Sequence, residues 1–326
     1  MKTEIYGPTR GFGNLKIRFN AESCRADVKA SLEKCVPDGL VPHIRKRLRA
    51  LLGIRARGDL LNYACSWAAM RIFSREVGEF WTEEWQFNNE RELELLTITP
   101  PTWWVSEYQP ILNLAEWRAE ASRWLNRLGF TGTAIIEPAP FQNVFHVLGG
   151  RGISFHITCV GYTENPYSYR KAVSALLNHL GPGPTKLPSI VSKPISGSLA
   201  DVRYVAEYSG KLPSQLKKAI GRRDDKGQVL RNGRMSDQLR LRVQEIMSYL
   251  ALQDVIVARG TTGLLCKRNA LHGVGSEAVT RSPNRMTEAE LRTLWSAVWK
   301  AVKKGTKSIK KERRCDRYTR VRVNRS

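Results

Sequence analysis

Two tyrosines and a lysine carry the first chemical signal in this chain. In the segment Asp201-Val202-Arg203-Tyr204-Val205-Ala206-Glu207-Tyr208-Ser209-Gly210-Lys211, a helix would place Tyr204, Tyr208 and Lys211 at i, i+4 and i+7 on one face. A phenol with a pKa of about 10 is a weak nucleophile at neutral pH. A nearby ammonium stabilises the phenolate and also the charge that builds on a phosphate under attack. The chemistry that this spacing supports is attack of a tyrosine oxygen on a phosphate. The same spacing also describes a core stripe of aromatic residues. Lys211 beside Gly210 equally suits a helix C-terminus, where a glycine caps and a cation complements the macrodipole.

An imidazole and a carboxylate form the second candidate. Ser154-Phe155-His156-Ile157-Thr158-Cys159-Val160 alternates like a strand, with His156 and Thr158 on one face and Phe155 and Ile157 on the other. Glu137 lies near the end of the apolar run Gly132 to Pro138. Brought together on adjacent strands, Glu137 and His156 would make a small oxygen and nitrogen site suited to Mg²⁺ or Mn²⁺. Taken singly, each also fits a plainer role: a hydrogen-bonded histidine in a sheet, and a strand-end charge before a proline. His146 could add a second imidazole if the turn register brings it beside His156. A four-residue turn at Gly149 to Gly152 would instead pair His146 with Phe155 and turn it away, so one bulge decides the matter.

These residues need a scaffold, and the hydropathy pattern supplies one. Leu93 to Thr99 reads as a strand stopped by Pro100 and Pro101. A helix follows with Leu114, Trp117, Ala121, Trp124, Leu125 and Leu128 on one face, closed by Gly129. Strands are expected at 132–138, 143–148 and 153–162, the last two joined by the Gly149 to Gly152 turn. A helix over 166–180 and a Pro-, Ser- and Gly-rich loop at 185–198 deliver the chain to the tyrosines. Strand, helix and a run of strands predict an α+β fold, an antiparallel sheet with flanking helices.

Mainly helical regions lie on both sides of that core. Residues 15–19 suggest a strand or an arm, and 24–87 turn helical, including a segment at 43–52 whose basic residues face away from Ile44, Leu48, Leu51 and Leu52, and an apolar helix over 59–77. Beyond the core, 236–252 reads as a helix and Val255 to Leu265 as a hairpin, a combination compatible with a winged helix for duplex DNA. A last helix is expected at 288–302. The organisation is therefore a basic, mainly helical N-terminal region at 1–90, the core at 91–222, a helical region with the winged-helix candidate at 223–302, and a basic tail at 303–326.

Charge narrows the class of partner. The 326 residues carry 53 Lys plus Arg against 30 Asp plus Glu, a formal net charge of +23. Such an excess attracts polyanions over long range, nucleic acid first. An anionic membrane ranks below it, because neither terminus reads as an amphipathic helix with a large apolar face beside a basic one. No apolar run is long enough for a membrane span, and the opening Met1 to Tyr6 has no apolar stretch of the signal-peptide kind. The six cysteines show no Cys-x-x-Cys pairing, which disfavours a zinc ribbon or a secreted disulfide framework and fits a reducing cytoplasm. Arg203, Lys217, Lys218, Arg222 and Arg223 are candidate nucleic-acid contacts. The tail would add sequence-independent phosphate affinity.

In order along the chain, these segments resemble the HUH endonuclease superfamily, and within it the rolling-circle replication initiators of plasmids and single-stranded DNA phages. Leu95-Leu96-Thr97-Ile98-Thr99-Pro100 looks like the family's first motif. Phe155-His156-Ile157-Thr158 is similar to its His-hydrophobic-His motif at the first histidine, with Thr158 in place of the second. Tyr204-Val205-Ala206-Glu207-Tyr208-Ser209-Gly210-Lys211 resembles its Tyr-x-x-x-Tyr motif with a following lysine, with Glu207 where a lysine is usual. The resemblance implies an HUH-type nuclease core and a divalent metal, Mg²⁺ or Mn²⁺, held by His156, Glu137 and a third ligand, Thr158, His146 or water. It also implies a tyrosine that nicks single-stranded DNA at an origin, leaving a 5′-phosphotyrosine link and a 3′-hydroxyl for a polymerase. Tyr208, the nearer to Lys211, is expected to attack first and Tyr204 to act in a second transfer. Origin DNA and the host helicase and polymerase would be its partners. No Gly-x-x-x-x-Gly-Lys-Ser/Thr loop suggests a fused ATPase. A transposase or relaxase is a rival within the superfamily. Outside it, the alternative is a non-catalytic basic DNA- or RNA-binding protein whose tyrosines are core residues.

Overall fold

The alternation around His156 builds a strand, and its partner is the strand that carries Glu137. The structure, a computed structural model, describes residues 3–5, 17–19, 21–34, 48–52, 63–88, 92–107, 110–142, 151–181, 189–195, 197–208, 216–220, 229–233, 235–280 and 322–323. Strands β1 (Thr3–Ile5) and β2 (Ile17–Phe19) pair antiparallel ahead of helices α1 (Ala21–Lys34) and α2 (Trp67–Phe87). Then come β3 (Leu93–Ile98), β4 (Trp104–Ser106), β5 (Ile111–Leu112), α3 (Leu114–Arg127), β6 (Phe130–Gln142), β7 (Arg151–Thr163), α4 (Pro166–Leu180), β8 (Ile190–Pro194) and α5 (Leu199–Glu207). They are followed by β9 (Leu216–Ile220), β10 (Val229–Gly233), α6 (Asp237–Met247), α7 (Leu252–Val255), β11 (Ile256–Arg259), α8 (Gly260–Thr280) and β12 (Arg322–Val323).

The fold is α+β, with an open sheet flanked by helices. Eight strands form it, in the order β10-β9-β6-β7-β3-β8, with β11 also on β6 and β4 also on β7. Its described pairings are antiparallel apart from the short join of β6 to β9 at Phe141 with Lys217 and Gln142 with Lys218. β6 and β7 pair along their whole length, from Phe130 opposite Thr163 to Gln142 opposite Arg151. On its other side β6 meets β11 over 132–135 and β9 over 141–142. Pro138 and Pro140 fall in the interval between, where a missing N–H costs no ladder bond on that side.

Opposite faces of β7 serve different ends. Phe155 and Ile157 are fully buried, and Phe155 packs on Trp117 of α3 with ring centroids 5.0 Å apart. Trp103 stacks on Trp117 at 5.3 Å and donates its indole N–H to Glu120 at 2.7 Å. Burying an aromatic ring of that size contributes about 1.5–3 kcal/mol. Tyr162 belongs to the other alternation, the one that includes His156, and meets Trp81 of α2 edge-on at 6.3 Å. Both α5 and α8 pack on α2, so the tyrosine segment reaches the sheet through that helix.

Several expectations change. The strand beside β7 is β6 itself, and Arg151 and Gly152 already belong to β7 opposite Gln142 and Phe141, so the turn is not Gly149 to Gly152; the expected strand at 143–148 lies outside the described residues. Phe155 stands opposite Pro138, which rules out its pairing with His146. The hairpin expected at 255–265 is a strand followed by a helix. Gly260, at φ 73°, turns β11 directly into α8, and the winged-helix reading loses its second wing strand. Because β11 sits in the central sheet, that sheet crosses the boundary expected at 222. On the N-terminal side α1 joins α6 through Ser31, which donates to Asp237 at 2.6 Å and accepts from Arg240 at 2.7 Å. Leu48, Leu51 and Leu52 are buried as the 43–52 pattern required. β12, within the expected tail, pairs in parallel with β5. The helix expected at 288–302 lies outside the described residues. Among the described residues no helix is long and apolar enough to cross a membrane.

Candidate active site

Register alone brings the carboxylate and the imidazole together. Glu137 and His156 are direct partners across β6 and β7, so their side chains leave the sheet on one face. His156 Nε2 lies 3.3 Å from Glu137 Oε1. Thr158, two residues along the same face, donates its hydroxyl in a short hydrogen bond to that same oxygen. Thr97 of β3 is the partner of Thr158 on the far side of β7. The glutamate and threonine are buried, and the imidazole keeps 15 % of its side-chain surface.

This arrangement gives Thr158 a specific task. Its hydrogen bond orients the carboxylate toward His156, much as partners behind a metal ligand fix that ligand's geometry. Two donors about 2.1 Å from one octahedral ion lie about 3.0 Å apart, so the spacing of Glu137 and His156 suits a shared cation. The donor types, one carboxylate and one imidazole, suit Mg²⁺ or Mn²⁺. Among the described residues no third His, Cys, Asp or Glu joins them to complete a metal-binding group. His146 lies outside the described residues.

The tyrosine helix forms for local reasons. Ser198 and Asp201 make a reciprocal capping box at the start of α5, which satisfies two backbone donors. Val202, Val205 and Ala206 supply its buried stripe. The helix ends at Glu207, and Tyr208 caps it with φ −61° and ψ −26°. Lys211, expected a turn further on, lies outside the described residues. The two phenols differ in setting. The Tyr204 hydroxyl is buried with no hydrogen-bond partner among the described residues, and desolvation, reinforced by the nearby Tyr208 and Glu207, holds its pKa well above the usual tyrosine range. Tyr208 sits at the helix end and is only partly buried.

A feature that the motif did not reveal fixes α5 in place. At Gly78 the two helices come so close that a Cβ there would lie 2.5 Å from Glu207 Cγ and 3.2 Å from the Arg203 carbonyl oxygen. Arg203 then bridges Glu207 and Glu79, each at 2.9 Å. The guanidinium expected to contact nucleic acid is held by two carboxylates, and hydrogen bonding to Glu207 raises its pKa further. A lone glycine inside the large side chains of α2 was the sequence signal for this contact. Lys217 and Lys218 lie on β9 beside the end of β6, whereas Arg222 and Arg223 lie outside the described residues. The structure thus joins Glu137, His156 and Thr158 by direct contacts, and positions the tyrosines from a separate helix. Comparisons with models of known protein families, with curated proteins and with solved structures find no match to this chain.

Proposed function

We propose that this protein is an HUH-type endonuclease that nicks single-stranded DNA with a tyrosine and initiates rolling-circle replication. The observation that carries the reading is the pairing of Glu137 with His156 at 3.3 Å, in a chain that also holds a capped Tyr-x-x-x-Tyr helix and a net charge of +23. Glu137 and His156 would hold a divalent cation, which when bound supplies positive charge at the scissile phosphate. Thr158 keeps the carboxylate oriented. The Tyr208 oxygen attacks phosphorus, forming the P–O bond to the protein and losing its phenolic proton. The bond from phosphorus to the 3′-oxygen breaks, and that oxygen takes up a proton to become the 3′-hydroxyl. Tyr204 repeats the transfer on the returning strand once its hydroxyl is brought out of its buried setting.

In this reading the protein works in the cytoplasm on origin DNA, with a host helicase and polymerase acting after it. The buried Tyr204 hydroxyl, without a partner among the described residues, favours a second reading, a non-catalytic nucleic-acid-binding protein in which the tyrosines serve the core. A nicking assay on single-stranded DNA from the parent replicon, with and without Mn²⁺, separates the two. The enzyme reading expects cleavage with a covalent protein–DNA adduct; binding with neither product would leave the second reading.

A further inference from the structure

Beside the Glu137–His156 pair the sheet carries a partly exposed tryptophan, Trp104. Trp104 on β4 and Ala139 on β6 are both partners of Ser154 on β7, so the three share one row across one face. Glu137 and His156 form the next row in one direction, Phe141 and Gly152 in the other. Successive rows on a face lie about 6.6 Å apart. Trp104, Ala139 and His156 are each partly exposed, while Glu137, Phe141 and Ser154 are buried. Gly152 presents no side chain, so the Trp104 ring reaches over it to Phe141, with ring centroids 4.6 Å apart and planes tilted by 54°. In the same row the Ser154 hydroxyl is fully buried with no hydrogen-bond partner among the described residues, a state that costs free energy until something accepts or donates there.

We propose that the Trp104–Ser154–Ala139 row is a nucleobase subsite, occupied by the base next to the phosphate that Glu137 and His156 address. This rests on the single-strand reading above. An indole braced by a buried phenylalanine is a stacking surface for any base. Alanine at 139 leaves room for a flat ring where a larger side chain would fill the row. The Ser154 hydroxyl can bond the edge of that base. One row separates this surface from the imidazole, so base and phosphate of one nucleotide step span the two.

The test measures affinity of the full-length protein for a short fluorescein-labelled oligo(dT) and for a duplex of the same length. Trp104→Ala should weaken single-strand binding about tenfold or more, Trp104→Phe should retain most of it, and Ala139→Leu should weaken it as Trp104→Ala does. Duplex affinity should stay within about twofold, as expected for contacts made by charge. A scan with one abasic nucleotide moved along the oligomer uses the unmodified protein: one position should lose affinity, and Trp104→Ala should be indifferent to it. Equal single-strand affinity for all variants, a flat abasic scan, or an equal loss on duplex would overturn the subsite. Nicking that persists with such a result leaves the endonuclease reading intact. Trp104-dependent binding without nicking would remove that reading and keep the subsite.

Discussion

Glu137 and His156 stand directly opposite one another on β6 and β7, and Nε2 of one lies 3.3 Å from Oε1 of the other. His156→Ala and Glu137→Gln should each lower single-turnover nicking on the order of 10²-fold or more, because the lost groups act at the scissile phosphate. Single-strand affinity, carried by the basic surface and the Trp104 row and not by this pair, should change by less than about twofold. Thr158→Val should give a smaller loss, about tenfold, by freeing the carboxylate. Gel analysis of nicked product beside fluorescence anisotropy reads both quantities, and full nicking by His156→Ala would remove the pair from the mechanism.

The tyrosines should divide the work. The Tyr204 hydroxyl is buried, and its phenolate is disfavoured by desolvation, whereas Tyr208 lies at the helix end. Tyr208→Phe should lose the covalent adduct in the first turnover, and Tyr204→Phe should form it but fail to join the displaced strand. Mass spectrometry of the trapped adduct identifies the residue. DNA found on Tyr204 first would reverse the order, and DNA on neither would end the tyrosine mechanism.

How far the sequence foretold this arrangement depends on the range of the forces involved. Helix α4 begins at Pro166 behind an Asn165 cap and stops at Gly181, and all of those signals are local and readable. The register that sets Glu137 against His156 is a long-range pairing choice, so the sequence could name the pair but not join it. The start of helix α8 was misread because Gly260 and Gly263 look like turn residues. Gly263 instead lets the helix press on β6: a Cβ there would lie 2.2 Å from the Gly132 carbonyl oxygen, and Thr133 donates to the Gly263 carbonyl at 3.1 Å. Tertiary packing overrode propensity.

Binding to single-stranded DNA should weaken steeply with salt. A net charge of +23 implies several phosphate contacts, and for a single strand each contributes about −0.7 to the slope of log K against log salt. A slope near zero would contradict the polyanion reading outright.

Gly78→Ala should displace α5. The added carbon would meet Glu207 Cγ at 2.5 Å and the Arg203 carbonyl oxygen at 3.2 Å, and overpacking of this kind costs about 1–3 kcal/mol. Urea denaturation measures the loss. If the tyrosine helix alone yields, hydrogen exchange should rise over 199–207 more than in β6 and β7; an unchanged exchange pattern with full stability would show that the helices separate freely there.

Lys267 gives the stability a pH signature. Desolvation, with Arg118 adding to it, lowers its pKa to about 8, while its ammonium donates to the Ile256 carbonyl at 2.8 Å. An unfolded lysine titrates near 10.4, so the unfolded chain binds more protons between those values. The penalty is full below about pH 8 and fades as pH rises toward about 10.4. Lys267→Met should therefore flatten the rise in stability over that interval, as thermal denaturation at stepped pH would show. An identical pH profile for the variant would mean that the ammonium is not penalised.

Pro138 and Pro140 occupy the interval of β6 that neither β11 nor β9 covers. A notch in a sheet invites an extended segment of another molecule to complete the ladder. With two ring nitrogens in place of N–H donors, such a segment would find a broken row of hydrogen bonds there. The carboxylate of Glu137, just before those prolines, thereby sits on a stretch of chain that offers another copy no continuous ladder.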